Sequence, residues 1–131
     1  MAYNDYLIGP YINTAGTGWT GTPLKSEIDQ LIEIRRQYAG GEMRSLTVNS
    51  GVQQNLFVLQ RVGNTEKSGC ILVLNNHGTS TLSSSVQTGW PNKILTDLIS
   101  NTTVTTDSNG SATLGALQRG YRIYVPTGDV P

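Results

Sequence analysis

Apolar and polar positions follow two different periods along this chain, and the change falls near residue 42. From Pro23 to Gly41, PLKSEIDQLIEIRRQYAGG, apolar residues recur every three or four positions, the spacing of an amphipathic helix. At about 100° per residue, Leu24, Ile28, Leu31, Ile32, Ile34 and Tyr38 fall within an arc of roughly 160°. Arg35 lies near the centre of that arc and Glu27 lies inside it. A charge in such a place needs a partner or a route to water, so Arg35 is expected to snorkel. Thr22-Pro23 supplies a hydroxyl cap and a proline at the first helical position, a start signal. There is no capping box, because the third helical position is Lys25. Gly40-Gly41 ends the helix.

After residue 42 the period becomes two. RSLTVN, NLFVLQRVG, GCILVLNN, SSSVQT, KILTDLI, TTVTTD, SATLG and GYRIYVP each predict a strand. Asn-Ser-Gly, Gly-Asn-Thr, Asn-His-Gly-Thr-Ser, Gly-Trp-Pro-Asn and Asp-Ser-Asn-Gly lie between them as turn signals. Ile71 to Leu74 is a continuous apolar run, which predicts a central strand. Ser108-Asn109-Gly110 carries the strongest hairpin signature, with Asn-Gly suited to a type I′ turn. The expected fold is mainly β: an antiparallel Greek-key β-sandwich of about eight strands with one N-terminal α-helix. Residues 1–22 read as an extended arm, 23–39 as the helix and 42–131 as the sandwich, a single domain overall.

Composition narrows the function classes. The 131 residues carry no formal net charge, and only 14% are charged. A nucleic-acid binder normally shows a basic patch or stripe. No apolar run approaches the roughly 20 residues a membrane span needs. The N-terminal MAYNDYLIG has neither a basic stretch nor a long apolar one, so no signal peptide is expected and the chain is placed in the cytoplasm or exported by a non-classical route. Under that expectation the sequons at Asn101 and Asn109 are chance matches.

Chemistry-bearing residues are sparse. Cys70 is the one cysteine and lies in apolar GCILVL, which favours a buried inert thiol. His77 is the one histidine, in the turn NNHGTS, and forms no metal cluster with a lone cysteine. The carboxylates fall mostly on the polar face of the helix or in turns, where solvated charge is the default. No nucleophile elbow, phosphate loop or dinucleotide fingerprint is present. No metal and no cofactor are expected.

The order of motifs resembles the C-terminal end of an α-amylase of glycoside hydrolase family 13. Ala2-Tyr3-Asn4-Asp5-Tyr6-Leu7 resembles the loop after the last barrel strand, and TPLKSEIDQLIEIRRQYAGG resembles the last barrel helix. NLFVLQRVG, GCILVLNNHGTS, VQTGWPNKILTDLIS, VTTDSNGSATL and QRGYRIYVP follow in the order of the amylase C-terminal sandwich. The resemblance implies that the family's catalytic aspartates and glutamate lie earlier, on barrel strands. No residue of this stretch inherits their roles, so no catalytic residue is assigned.

The resemblance also implies a helix whose usual neighbour, the barrel, is not part of this stretch. Full exposure of a Leu or Ile side chain forfeits about 1.5–3 kcal/mol. Self-association, as a symmetric dimer, is therefore expected through Leu24, Ile28, Leu31, Ile32, Arg35 and Tyr38. The leading functional expectation is lectin-like carbohydrate binding. Sugar recognition needs flat aromatic rings beside polar turns, and Trp19, Tyr11, Tyr6, Trp90, Asn76 and His77 are the candidates, with Trp90 also readable as a packing residue. The alternatives are an interaction or small effector protein without a sugar ligand, and an inactive amylase fragment.

Overall fold

The computed structural model describes residues 23–46 and 55–129. The chain divides between Gln37 and Tyr38 into two compact units, one holding the helix and the other the strands. Helix α1 spans Pro23–Tyr38. Lys25 and Asp29 pair one turn apart at 2.7 Å, and Glu33 pairs with Arg36 at 3.1 Å, both exposed pairs of modest worth. Arg35 and Arg36 occupy the last turn, where positive charge complements the helix dipole. Ile34 is buried, Ile28, Leu31 and Tyr38 are half-buried, and Ile32 is 49% exposed. Arg35 is exposed. The covered side is therefore shifted from the predicted centre at Arg35 towards Ile34.

The strand unit contains β1 (Met43–Ser45), β2 (Leu56–Arg61), β3 (Cys70–Asn75), β4 (Leu82–Gln87), β5 (Lys93–Asp97), β6 (Thr102–Thr105), β7 (Ser111–Ala116) and β8 (Gly120–Asp129). Six form one antiparallel sheet in the order β1-β2-β3-β8-β5-β6, and β4 pairs β7 in a second. The insertion of β8 between β3 and β5 is the long crossover expected of a Greek key. The mainly β sandwich is thus the observed fold, with one helix among the described residues.

The core lies between the two sheets. Leu56 and Val58 of β2, Ile71 and Val73 of β3, Leu95 of β5 and Tyr124 of β8 meet Leu82, Val86, Ala112, Leu114 and Ala116 from β4 and β7. Successive side chains of a strand point to opposite faces, which is why β2 alternates buried and more open positions. The opposite face of β8 is also apolar, and Ile123 and Val125 there are 5% and 0% exposed.

Two turns depart from the sequence expectation. The Asp107-Ser108-Asn109-Gly110 turn is not type I′, because Asn109 does not take a positive φ. Gly110 does, at 87°, and its N–H donates to Asp107 O at 3.0 Å. This is a type I turn closed by a left-handed glycine. The Asp107 carboxylate selects it by accepting the N–H groups of Asn109 and Ser111 at 2.8 and 2.9 Å. The turn links β6 and β7, which belong to different sheets. Likewise KILTDLI ends as a strand at Asp97, where the carboxylate accepts Ile99 N–H at 3.0 Å and Ser100 Oγ–H and turns the chain.

Candidate functional site

The two ends of β3 present different surfaces. At the Gly69 end, Trp90 is half-buried and packs against the core. Its indole Nε1 donates to Val62 O at 3.3 Å. Gly69 has φ of 95°, and a Cβ there would meet Arg61 O at 2.4 Å and the Trp90 ring at 2.9 Å. Only glycine allows the strand start to lie under the indole. Trp90 also lines a groove of about 330 Å³ with Ser68, Lys93, Pro126, Gly128 and Asp129. Lys93 and Asp129 form an ion pair beside it.

At the Asn75 end lies a second groove, of about 440 Å³. Phe57, Leu74 and Tyr121 are directly opposite one another on β2, β3 and β8. They form an apolar row whose Phe57 is 41% exposed and whose Leu74 is 39% exposed. Asn75, Asn76, Arg119 and Gly120 complete the lining. Among the described residues this lining contains no carboxylate, thiol or imidazole.

The loop beside this groove is held by buried side chains. Asn75 is 3% exposed. Its Nδ2 donates to Ser80 O and Ala116 O at 2.8 and 3.0 Å, and its Oδ1 accepts His77 N–H at 2.8 Å. His77 Nδ1 accepts the N–H groups of Thr79 and Ser80, each at 3.1 Å. Two donors at Nδ1 occupy its lone pair and leave the ring proton on Nε2. Arg119 N–H donates to His77 O at 3.1 Å, which ties the β7–β8 turn to this loop. Its φ of 50° is unusual for a residue with a side chain. The guanidinium lies beside Gly78, where a Cβ would stand 3.6 Å from Nη2.

The predicted site residues therefore divide. Asn76 is exposed on the groove rim, with its N–H donating to Asn55 O at 2.9 Å. His77 organises the adjoining loop. Trp90 is at the far end of β3, about 20 Å away by strand rise. Tyr6, Tyr11 and Trp19 lie outside the described residues, as does the side chain of Leu24. Phe57, Leu74, Arg119 and Tyr121 were not singled out by the sequence, because their juxtaposition is set by cross-strand register.

Two buried polar groups serve the fold. Asp97 is 0% exposed. Its carboxylate accepts from Ile99, Ser100 and Ile123, and lies 3.4 Å from Arg122 Nε. Asp97 is the exception among the described carboxylates, since Glu27, Asp29, Glu33, Glu42, Glu66, Asp107 and Asp129 are exposed as expected. Gln60 Nε2 donates to Thr88 O at 2.7 Å, while its buried Oε1 has no partner. Burial pushes the Cys70 thiol above its ordinary pKa, partly opposed by Arg61. The backbone N–H groups of Ser111 and Asn109 hold the Asp107 carboxyl below the ordinary value. Among the described residues, no three His, Cys, Asp or Glu side chains converge as a metal-binding group.

No protein-family model and no curated protein matches the sequence. The fold does match solved structures. AmyP in complex with maltose aligns over 82% of this chain at 12% identity, with a TM-score of 0.61. An α-amylase from Malbranchea cinnamomea aligns over 82% at 17% identity and 0.58. The α-amylase of Geobacillus thermoleovorans complexed with acarbose aligns over 80% at 20% identity and 0.53. This chain covers 21%, 23% and 21% of those chains respectively. It thus has the fold of about a fifth of an α-amylase, in keeping with the C-terminal region the motifs resemble.

Proposed function

We propose that this sandwich is a non-catalytic carbohydrate-binding domain that holds a glucan in the Phe57–Leu74–Tyr121 groove. The observation that carries the reading is the groove itself: an apolar row with two aromatic rings, open beside the exposed Asn76 and Arg119. A pyranose presents C–H groups on its faces and hydroxyls around its edge. Its faces suit Phe57 and Tyr121, and its edge suits Asn76 and Arg119. The loop carrying Asn76 is fixed by Asn75 and His77, so little ordering entropy opposes binding. The aligned AmyP and Geobacillus structures contain maltose and acarbose, and that chemistry guides the choice of glucan.

Isothermal titration with maltotetraose tests the reading. Phe57→Ala and Tyr121→Ala are each expected to weaken binding about tenfold, the scale of one lost aromatic contact. Trp90→Phe is expected to leave affinity unchanged. Absence of heat and of any tyrosine or tryptophan fluorescence change would remove the reading.

A second reading is assembly through α1, using Leu24, Ile28, Leu31, Ile32, Arg35 and Tyr38. It is favoured by Ile32, half exposed on a helix that also carries half-buried Ile28 and Leu31. Size-exclusion chromatography with light scattering checks it: an Ile32→Glu variant is expected to be monomeric where the parent is dimeric. A monomeric parent rules assembly out.

A further inference from the structure

We infer that the glucan taken by the Phe57–Leu74–Tyr121 groove is an anionic one, carrying a phosphate ester that Arg119 receives. The inference rests on the carbohydrate reading above and specifies its ligand. Among the described residues the groove lining carries a single charge, and it is positive: Arg119 is present and no Asp or Glu is. Among the described residues, Lys25, Arg36, Lys93 and Arg122 each have a carboxylate partner. Arg35, Arg44, Arg61 and Lys67 share with Arg119 the lack of an ion pair, so it is the place of Arg119 on the groove that sets it apart. Arg119 is exposed and forms no ion pair among the described residues. The other groove differs in this respect, because its Lys93 is paired with Asp129.

The placement of Arg119 is costly to the backbone. A left-handed φ of 50° at a long side chain is disfavoured by sterics, and such strain concentrates at ligand clamps. The bond from Arg119 N–H to His77 O holds the turn in place. Gly78 leaves the space beside the guanidinium clear of any side chain. A further donor is at hand in the exposed Asn76 amide on the same lining. A planar guanidinium with an adjoining neutral donor suits a phosphate, whose oxygens accept in pairs. The apolar row receives the sugar, and the cation receives the ester.

Titration of the protein at low ionic strength with maltotetraose, with phosphorylated maltotetraose and with inorganic phosphate tests this. The ester is expected to bind about fivefold tighter than the neutral sugar, the worth of one exposed ion pair. That advantage is expected to shrink as salt is raised. Arg119→Asn is the informative variant, because Asn accepts a left-handed backbone and removes the charge. It is expected to bind both sugars equally, and its thermal melt checks that it is folded. Equal affinity of the parent protein for both sugars would overturn the inference and leave the carbohydrate reading standing. So would an ester preference that persists in Arg119→Asn. No binding of either sugar would overturn both, whereas inorganic phosphate binding as tightly as the ester would overturn the inference alone.

Discussion

Asp97 carries the only fully buried carboxylate among the described residues, and the groups around it show why burial is tolerated. Two backbone N–H groups, the Ser100 hydroxyl and the Arg122 guanidinium all point at it. Charge-assisted hydrogen bonds replace the lost water. Asp97→Asn would set an NH₂ group against the Ser100 and Arg122 donors and leave Arg122 without its anion. The expected loss is about 3 kcal/mol, read from urea unfolding. Asp107 is a different case, fully exposed and held by backbone donors. Its pKa is lower in the folded state than the ordinary 3.8. The stabilisation is therefore complete above that value and disappears as pH falls through the folded pKa. Asp107→Ala is expected to be less stable than the parent near neutrality. The gap should close on acidification below about pH 4, followed by thermal melting across pH. Neither role was legible in the residue letters: KILTDLI and TTDSNG both show an Asp beside a turn, and only the neighbours separate a buried anchor from a solvated cap.

At the scale of elements, local pattern and tertiary demand agree in most places. The helix follows from its 3.6-residue period, the proline at its start and the glycines at its end. The strands follow from alternation, and the centrality of β3 follows from its unbroken apolar run. The turns were harder to read. Asn109-Gly110 has the composition of a type I′ turn, yet the flanking strands diverge to different sheets and the Asp107 carboxylate favours a right-handed Asn109. Gly110 alone carries the left-handed step, and its O accepts Thr88 N–H and Oγ–H at 2.9 and 2.7 Å. A Cβ there would stand 2.8 Å from Gln87 Oε1 and 3.1 Å from Trp90 N. Gly110→Ala is expected to cost about 1–2 kcal/mol in urea unfolding, from the positive φ and the crowding together. Gly110→Asn, which suits φ but not the space, should not restore stability.

At the scale of the whole molecule, the division between Gln37 and Tyr38 separates helix from sandwich, and the candidate groove lies wholly in the second unit. A chain of residues 38–131 is therefore expected to unfold cooperatively and to bind maltotetraose within threefold of the full chain, measured by calorimetry. Loss of the groove's affinity in that chain would place part of the site in the first unit. The sequence by itself determined the fold class, because helical and strand periods depend only on which residues repeat along the chain. It also carried the likeness to the end of an amylase, since the motifs lie in order along one line. Tertiary structure alone decided the candidate groove. Phe57, Leu74 and Tyr121 are far apart in the chain and meet only when β8 inserts beside β3 in one register. Alternation within each strand decides which face a residue takes. The meeting of Phe57 with Leu74 and of Leu74 with Tyr121 is made between strands, and a shift of one residue would turn them towards the core.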